Sequence, residues 1–209
     1  MSRVAIIEPL NVETCVRHWV RRRLVEIDHE QRVARHARML FGITQPWHGL
    51  PAEYGRLLLL GAMVHDVGRV WGEKKHARRG AAIVLDSDSL PLSNRQRRRL
   101  AYLTRYHRGK VPPAGTDEFL EHDADDAWAM RVLLGMLRVA DALDSRSAGG
   151  MELAMLPRER PSRQVMIDVY WEGNARSEIR RRPKKFRLLE ETLRCQVRLE
   201  WRESLRMVG

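Results

Sequence analysis

The feature that most constrains this chain is a change of hydrophobic period. From about Asn11 to Ser145 apolar residues recur at helical spacing, broken where glycine or proline intervenes; after Gly149-Gly150 they alternate. Apolar stripes of the first kind are buried by packing helix on helix. The spacing predicts helices near 11–25, 28–42, 51–67, 74–86, 93–107 and 124–144. Pro51 and Ser93 stand where helices start, and Gly109 to Gly115 is a loop with two prolines. Val165, Ile167 and Val169 alternate with Met166, Asp168 and Tyr170, and Cys195, Val197 and Leu199 alternate with Gln196, Arg198 and Glu200, which predicts half-buried strands. A further strand is expected at about 151–156, and 174–192 reads as a helix interrupted at Pro183. The expectation is a mainly α fold: a helical domain over 1–148 and a small C-terminal α+β appendage over 149–209, an antiparallel sheet with one helix, packed on it.

Composition narrows the function classes. Hydrophobic residues make up 44% of the 209, enough for a packed core. The longest apolar run, Leu57 to Val64, is interrupted by Gly61 and is too short to span a bilayer, and the first residues lack the continuous apolar stretch of a signal peptide. Cytoplasmic residence without a membrane partner is expected. Cys15 and Cys195 belong to no paired motif and are expected as reduced, packed thiols. Lys and Arg total 38 against 27 Asp and Glu, a formal net charge of +11, which attracts polyanions such as nucleotides, polyphosphate or nucleic acid. The runs Arg21-Arg22-Arg23 and Arg97-Arg98-Arg99 cover all sides of a helix, as a merely solvated surface also would.

Chemistry concentrates around His65-Asp66, at the end of the apolar helix Leu57–Val64. Neighbouring side chains diverge inside a regular helix, but at a helix end both can reach one ion. His29 lies on an earlier helix, His76 follows the pair, His107 ends a further helix, and Asp141 sits in the apolar context Ala140-Asp141-Ala142-Leu143. A carboxylate buried there demands a counter-charge, which a metal supplies. Imidazole nitrogen with carboxylate oxygen suits divalent Mn, Fe, Co, Ni, Zn or Mg. His36, seven residues after His29, shares nearly the same helix face; His18, His48 and His122 read as ordinary surface or structural histidines.

The order His29, His65-Asp66, Asp141 resembles the HD superfamily of metal-dependent phosphohydrolases. The closer likeness is to the helical C-terminal domain of exopolyphosphatase and guanosine pentaphosphate phosphatase proteins. It is carried by Gly61-Ala62-Met63-Val64-His65-Asp66-Val67-Gly68, Lys74-Lys75-His76, Ser87-Asp88-Ser89-Leu90-Pro91, Arg105-Tyr106-His107-Arg108 and Leu137-Arg138-Val139-Ala140-Asp141-Ala142-Leu143-Asp144, and it covers about 15–205. The resemblance implies an HD-domain helical bundle with metal ligands His29, His65, Asp66, His76, His107 and Asp141, holding one or two divalent ions. His65 and Asp66 would be the catalytic pair, with Asp66 bridging two ions that activate water for attack on phosphorus. His76-Ala77-Arg78-Arg79-Gly80-Ala81 is similar to the segment that supplies a second-metal ligand in dinuclear HD phosphodiesterases, although a histidine often found three residues after the His76 position is Arg79 here.

Arg69, Lys75, Arg105, Arg108 and Lys110 each neighbour an expected ligand in sequence and are candidate phosphate clamps. The expected function is hydrolysis of a phosphoester or phosphoanhydride: a nucleotide, an alarmone, a cyclic nucleotide or polyphosphate. The alternative is a non-catalytic polyphosphate- or nucleotide-binding regulatory module. The polyphosphatases it resembles carry an actin-like N-terminal half that has no counterpart here, so their activity does not simply transfer. A phosphorylated anion is the expected partner, nucleic acid rests on charge alone, and the tail sheet offers a surface for a homodimer.

Overall fold

The fold is mainly α. A computed structural model describes residues 11–113, 115–120, 124–144, 152–154, 164–171 and 183–203. Seven α-helices lie among them: α1 Val12–Arg21, α2 Asp28–His48, α3 Ala52–Val64, α4 His76–Leu85, α5 Asn94–Tyr106, α6 Ala124–Leu143 and α7 Arg187–Leu193. The helix starts follow their local chemistry. The Asn11 side chain accepts from the Glu13 N–H, and Ser93 forms a reciprocal capping box with Gln96 at the start of α5.

The helix expected to stop at 42 continues to His48 through Pro46. Its end is closed chemically: Gly49 takes a left-handed φ of 59°, His48 Nε2 bonds the Phe41 carbonyl at 3.0 Å, and His48 Nδ1 accepts from the Leu50 N–H at 2.9 Å. His48 is thus a structural histidine. His18 is exposed, and His122 lies outside the described residues.

Helix α6 is the axis of the fold. Met130, Val132, Leu133, Leu134, Met136, Leu137, Val139 and Ala140 are all fully buried, so α6 has almost no solvent face over two turns. Helices α2, α3, α5 and α7 surround it. Truncating one of its central leucines would cost about 2–5 kcal/mol, because a site closed on all sides collapses poorly. Asp126, buried near the start of α6, is met by Arg99 Nη2 at 2.5 Å and by the Tyr54 hydroxyl at 3.3 Å. The acid there is satisfied by the chain itself.

Beyond α6 the backbone pairs as three strands, β1 Glu152–Ala154, β2 Gln164–Trp171 and β3 Gln196–Glu203, in the order β1-β2-β3. The sheet expected to be antiparallel is mixed. β1 runs antiparallel to β2, with Leu153 opposite Val169, but β2 and β3 are parallel, with Ile167 opposite Leu199. Period two reports a half-buried strand and says nothing of its direction; here the chain passes through α7 between β2 and β3, the crossover that a parallel pair requires. The helix expected over 174–192 is described only from 183: a 3-10 turn Pro183–Lys185, then α7. The ends of the strand expected at 151–156 and the stretch 172–182 lie outside the described residues. No disulfide joins Cys15 to Cys195, and Cys195 is buried. Among the described residues no helix is long and apolar enough to cross a membrane.

Candidate metal centre

Helix α3 stops at Val64, and the chain turns through His65 and Asp66 into a 3-10 turn, Val67–Trp71. This turn lies directly on α4. A Cβ placed on Gly68 would stand 2.0 Å from the His76 carbonyl oxygen and 2.5 Å from Gly80 N, so only glycine permits the approach that sets His76 beside Asp66. His107 follows the last residue of α5, His29 is on the first turn of α2, and Asp141 and Asp144 are at the end of α6. Five separate elements, α2 to α6, therefore deliver side chains to one buried point.

Asp66 is the centre of the group. Its Oδ1 lies 3.2 Å from His76 Nε2, 3.3 Å from His107 Nε2 and 3.8 Å from His65 Nε2, and its Oδ2 lies 3.7 Å from His29 Nε2. Asp141 Oδ1 is 3.6 Å from His29 Nε2 and 3.9 Å from His65 Nε2. Two overlapping sets can hold a metal ion: His29, His65 and Asp66 on one side, and Asp66, His76 and His107 on the other. Ligand atoms bound to one first-row ion at about 2.0–2.2 Å are at most about 4.4 Å apart, which these separations respect.

The histidines are oriented alike. His29 Nδ1 meets Asp144 Oδ2 at 2.6 Å, while the Nδ1 atoms of His65, His76 and His107 meet the carbonyls of Ala62, Glu73 and Thr104, each at 2.7 Å. Each Nδ1–H donates, so each Nε2 faces inward and offers a lone pair whenever its imidazole is neutral. The His29 and His65 Nε2 atoms are buried without a hydrogen-bond partner among the described residues. Those of His76 and His107 face each other at 3.2 Å, where two lone pairs repel unless a cation lies between them. Unlike the Arg99–Asp126 pair, this arrangement is left incomplete by the protein, and a divalent cation fits it.

The electrostatics run the same way. Burial would raise the Asp66 pKa, but His65, His107 and His76 hold it well below the carboxylate range. Burial likewise opposes the charge on Asp141, and His29, His65 and Lys185 override it, keeping the carboxyl far down. For His29, burial opposes protonation, yet the nearby Asp141 and Asp144 bring its pKa up to about 9. Burial takes His107 the other way, to about 4. His36, also buried, is pushed down to about 4 by its burial, and it does not enter either metal-binding set.

The five candidate clamps separate. Arg69 Nη1 contacts Asp66 Oδ2 at 3.0 Å and also pairs with Glu73. Arg108 Nη1 is 3.8 Å from Glu73 Oε2, one residue removed from the cluster. Arg105 lies over the Tyr106 ring, and Lys75 and Lys110 are exposed on the turns beside His76 and His107. The sequence reading did not single out Asp144, which orients His29 and is gripped by Arg32 at 2.6 Å, nor Lys185, whose Nζ is 2.7 Å from Asp141 Oδ2. Asp144 stands three residues after Asp141, hence on the same helix face, and that spacing was a usable signal. Lys185 carries no local signal at all.

No curated protein matches the chain. A family model, Ppx/GppA phosphatase, domain III, matches residues 13–169, more than half of the sequence, and the chain belongs to this family of HD-like helical domains.

Proposed function

We propose that the chain is a metal-dependent phosphohydrolase acting on a phosphoester or phosphoanhydride. The observation that carries this reading is the convergence of four histidine Nε2 atoms on Asp66, each histidine fixed from behind through Nδ1. A module that only gripped polyanions would need basic side chains and would have no use for buried aspartates among imidazoles. His29, His65, Asp66 and Asp141 would hold one divalent ion, and Asp66, His76 and His107 a second. When bound, such ions supply an activated water and neutralise charge on phosphoryl oxygens. Around them Asp144 and the three backbone carbonyls keep the imidazole tautomers, and Arg69 presents a guanidinium beside Asp66 for the phosphoryl group. Arg108, Lys75, Arg105 and Lys110 would act further out, drawing the anion in rather than touching phosphorus. Residues 149–209 would form an appendage on the helical domain 1–148 and provide the surface for a homodimer.

The test is elemental analysis joined to a substrate panel. The full chain, loaded in turn with Mn, Fe, Co, Ni, Zn and Mg, is assayed on nucleotides, alarmones, cyclic nucleotides and polyphosphate. More than about one ion per chain with metal-dependent hydrolysis of a member of the panel is expected. Tight binding of a member of the panel with no turnover under any metal would replace the enzyme by a polyphosphate- or nucleotide-binding regulatory module.

A further inference from the structure

Asp141 has two unlike oxygens. Oδ1 faces the His29 and His65 Nε2 atoms, at 3.6 and 3.9 Å, while Oδ2 is held at 2.7 Å by Lys185 Nζ. Lys185 comes from the 3-10 turn Pro183–Lys185, beyond the stretch matched by the family. Its delivery is rigid. Helix α7, one residue further on, lies backbone to backbone on α6: a Cβ added at Gly135 would stand 2.8 Å from Leu189 Cα and 2.9 Å from Leu189 N. The anchor residues Leu188, Leu189 and Leu193 are buried, while the neighbouring Lys184 points to solvent.

Contact with Asp141 uses one of the three N–H donors of the ammonium, and the Lys185 side chain stays 24% accessible. Arg69 stands in the equivalent place on the other aspartate, 3.0 Å from Asp66 Oδ2 and 16% accessible. Asp141 thus divides its oxygens between histidines and a partly accessible cation, and Asp66 Oδ2, 3.7 Å from His29 Nε2, has a partly accessible cation beside it as well. A tetrahedral oxyanion approaching the cluster would meet donors on both flanks.

We propose that Lys185 is a phosphate-contacting residue of the centre, its ammonium shared between Asp141 Oδ2 and an oxygen of the bound phosphoryl group. This rests on the phosphohydrolase reading above and assigns the C-terminal segment a direct part in the site.

The experiment uses the full chain loaded with Mn and inorganic phosphate as the probe, titrated by calorimetry. Lys185→Met keeps the length of the side chain and removes its donors. The phosphate Kd is expected to rise about 10–100-fold, the worth of a hydrogen bond to a charged group, with Mn stoichiometry and the thermal midpoint unchanged. Lys185→Arg is expected to restore most of the affinity. A phosphate Kd within twofold of wild type in Lys185→Met, loss of Mn from that variant, or no phosphate binding by the Mn-loaded wild type each overturns the proposal. Failure of the wild-type chain to hold Mn overturns this proposal and leaves the phosphohydrolase reading to the other five metals, whereas a chain that binds Mn and phosphate but turns nothing over under any metal overturns only the catalytic reading.

Discussion

The two halves of the His/Asp cluster share Asp66 and are built differently around it. On one side His29, His65 and Asp141 come from the long helices α2 and α6 and the end of α3, and their closest approaches are 3.6–3.9 Å. On the other, His76 and His107 come from the start of α4 and the end of α5, at 3.2–3.3 Å from Asp66 and from each other. The first half has charged groups behind it, Asp144 with Arg32 and Lys185, while in the second each Nδ1 is held by a backbone carbonyl, with the exposed Glu73 carboxylate 3.7 Å from His76 Nδ1. Their protonation differs as well: His29 is pulled up to about 9 and His107 pushed down to about 4. A side-chain brace lets charge be traded with the site; a carbonyl brace fixes direction alone.

The most severe way to break the comparison is to remove what the halves share. Asp66→Ala should empty both sets together and reduce phosphohydrolysis by roughly 10³-fold, on the scale of losing a central electrostatic group. Elemental analysis beside the activity assay checks this, and retention of a full metal complement would show that Asp66 is no ligand. The next variants separate the halves: His107→Ala should lose one ion and keep the other, and His29→Ala should do the converse. Metal counts that fall to zero in both would merge the two sets into one site.

A gentler change tests the braces. Asp144→Asn leaves every ligand in place but weakens the acceptor behind His29, so metal affinity should fall about 10–100-fold, as for other groups that orient a ligating histidine. A fluorescent chelator competition would register it, with the His76/His107 ion unaffected. Gly135→Ala should cost about 2 kcal/mol of stability through overpacking of α6 on α7, measured by denaturant melts, and should draw Lys185 back from Asp141.

The smallest expected effect concerns protons. Because the His29 pKa is raised, the metal-free protein carries a proton there at pH 7.5. Loading the first half should release about one proton per ion, seen as a buffer-dependent heat, while His107, already neutral, releases none. The stabilising contribution of protonated His29 is fully present below its ordinary value near 6.5 and is lost as pH rises through about 9, so metal binding should tighten over that same window. A heat independent of buffer would show that His29 is not the group displaced.

How much of this was legible depends on where the information lay. The helices could be read because period and caps are local: Ser93 starts α5 with its capping box, and α6 runs from 124 to 143 as its apolar spacing demands. The members of the His/Asp cluster could be read because their residue types are rare on apolar faces, as Asp141 between Ala140 and Ala142 shows. Lys185 could not. It is one basic residue among 38, and its meaning arises only when α7 docks on α6. The direction of β3 was hidden for a related reason, since alternation is the same in either sense. Of the candidate clamps, Arg69 lies beside Asp66 while Lys75 and Lys110 are exposed, because a side chain next to an inward-facing residue on a turn often points outward.

The contact at Gly68 has a mechanical consequence. The 3-10 turn that begins at Val67 ends in Val70 and Trp71, both exposed, and its middle is pressed against the first turn of α4 with room for no more than a hydrogen atom. Turn and helix are therefore clasped, and the backbone of the turn cannot shift without carrying the start of α4, where His76 sits. A load on the backbone of this turn would reach the His76 end of the His/Asp cluster as a displacement.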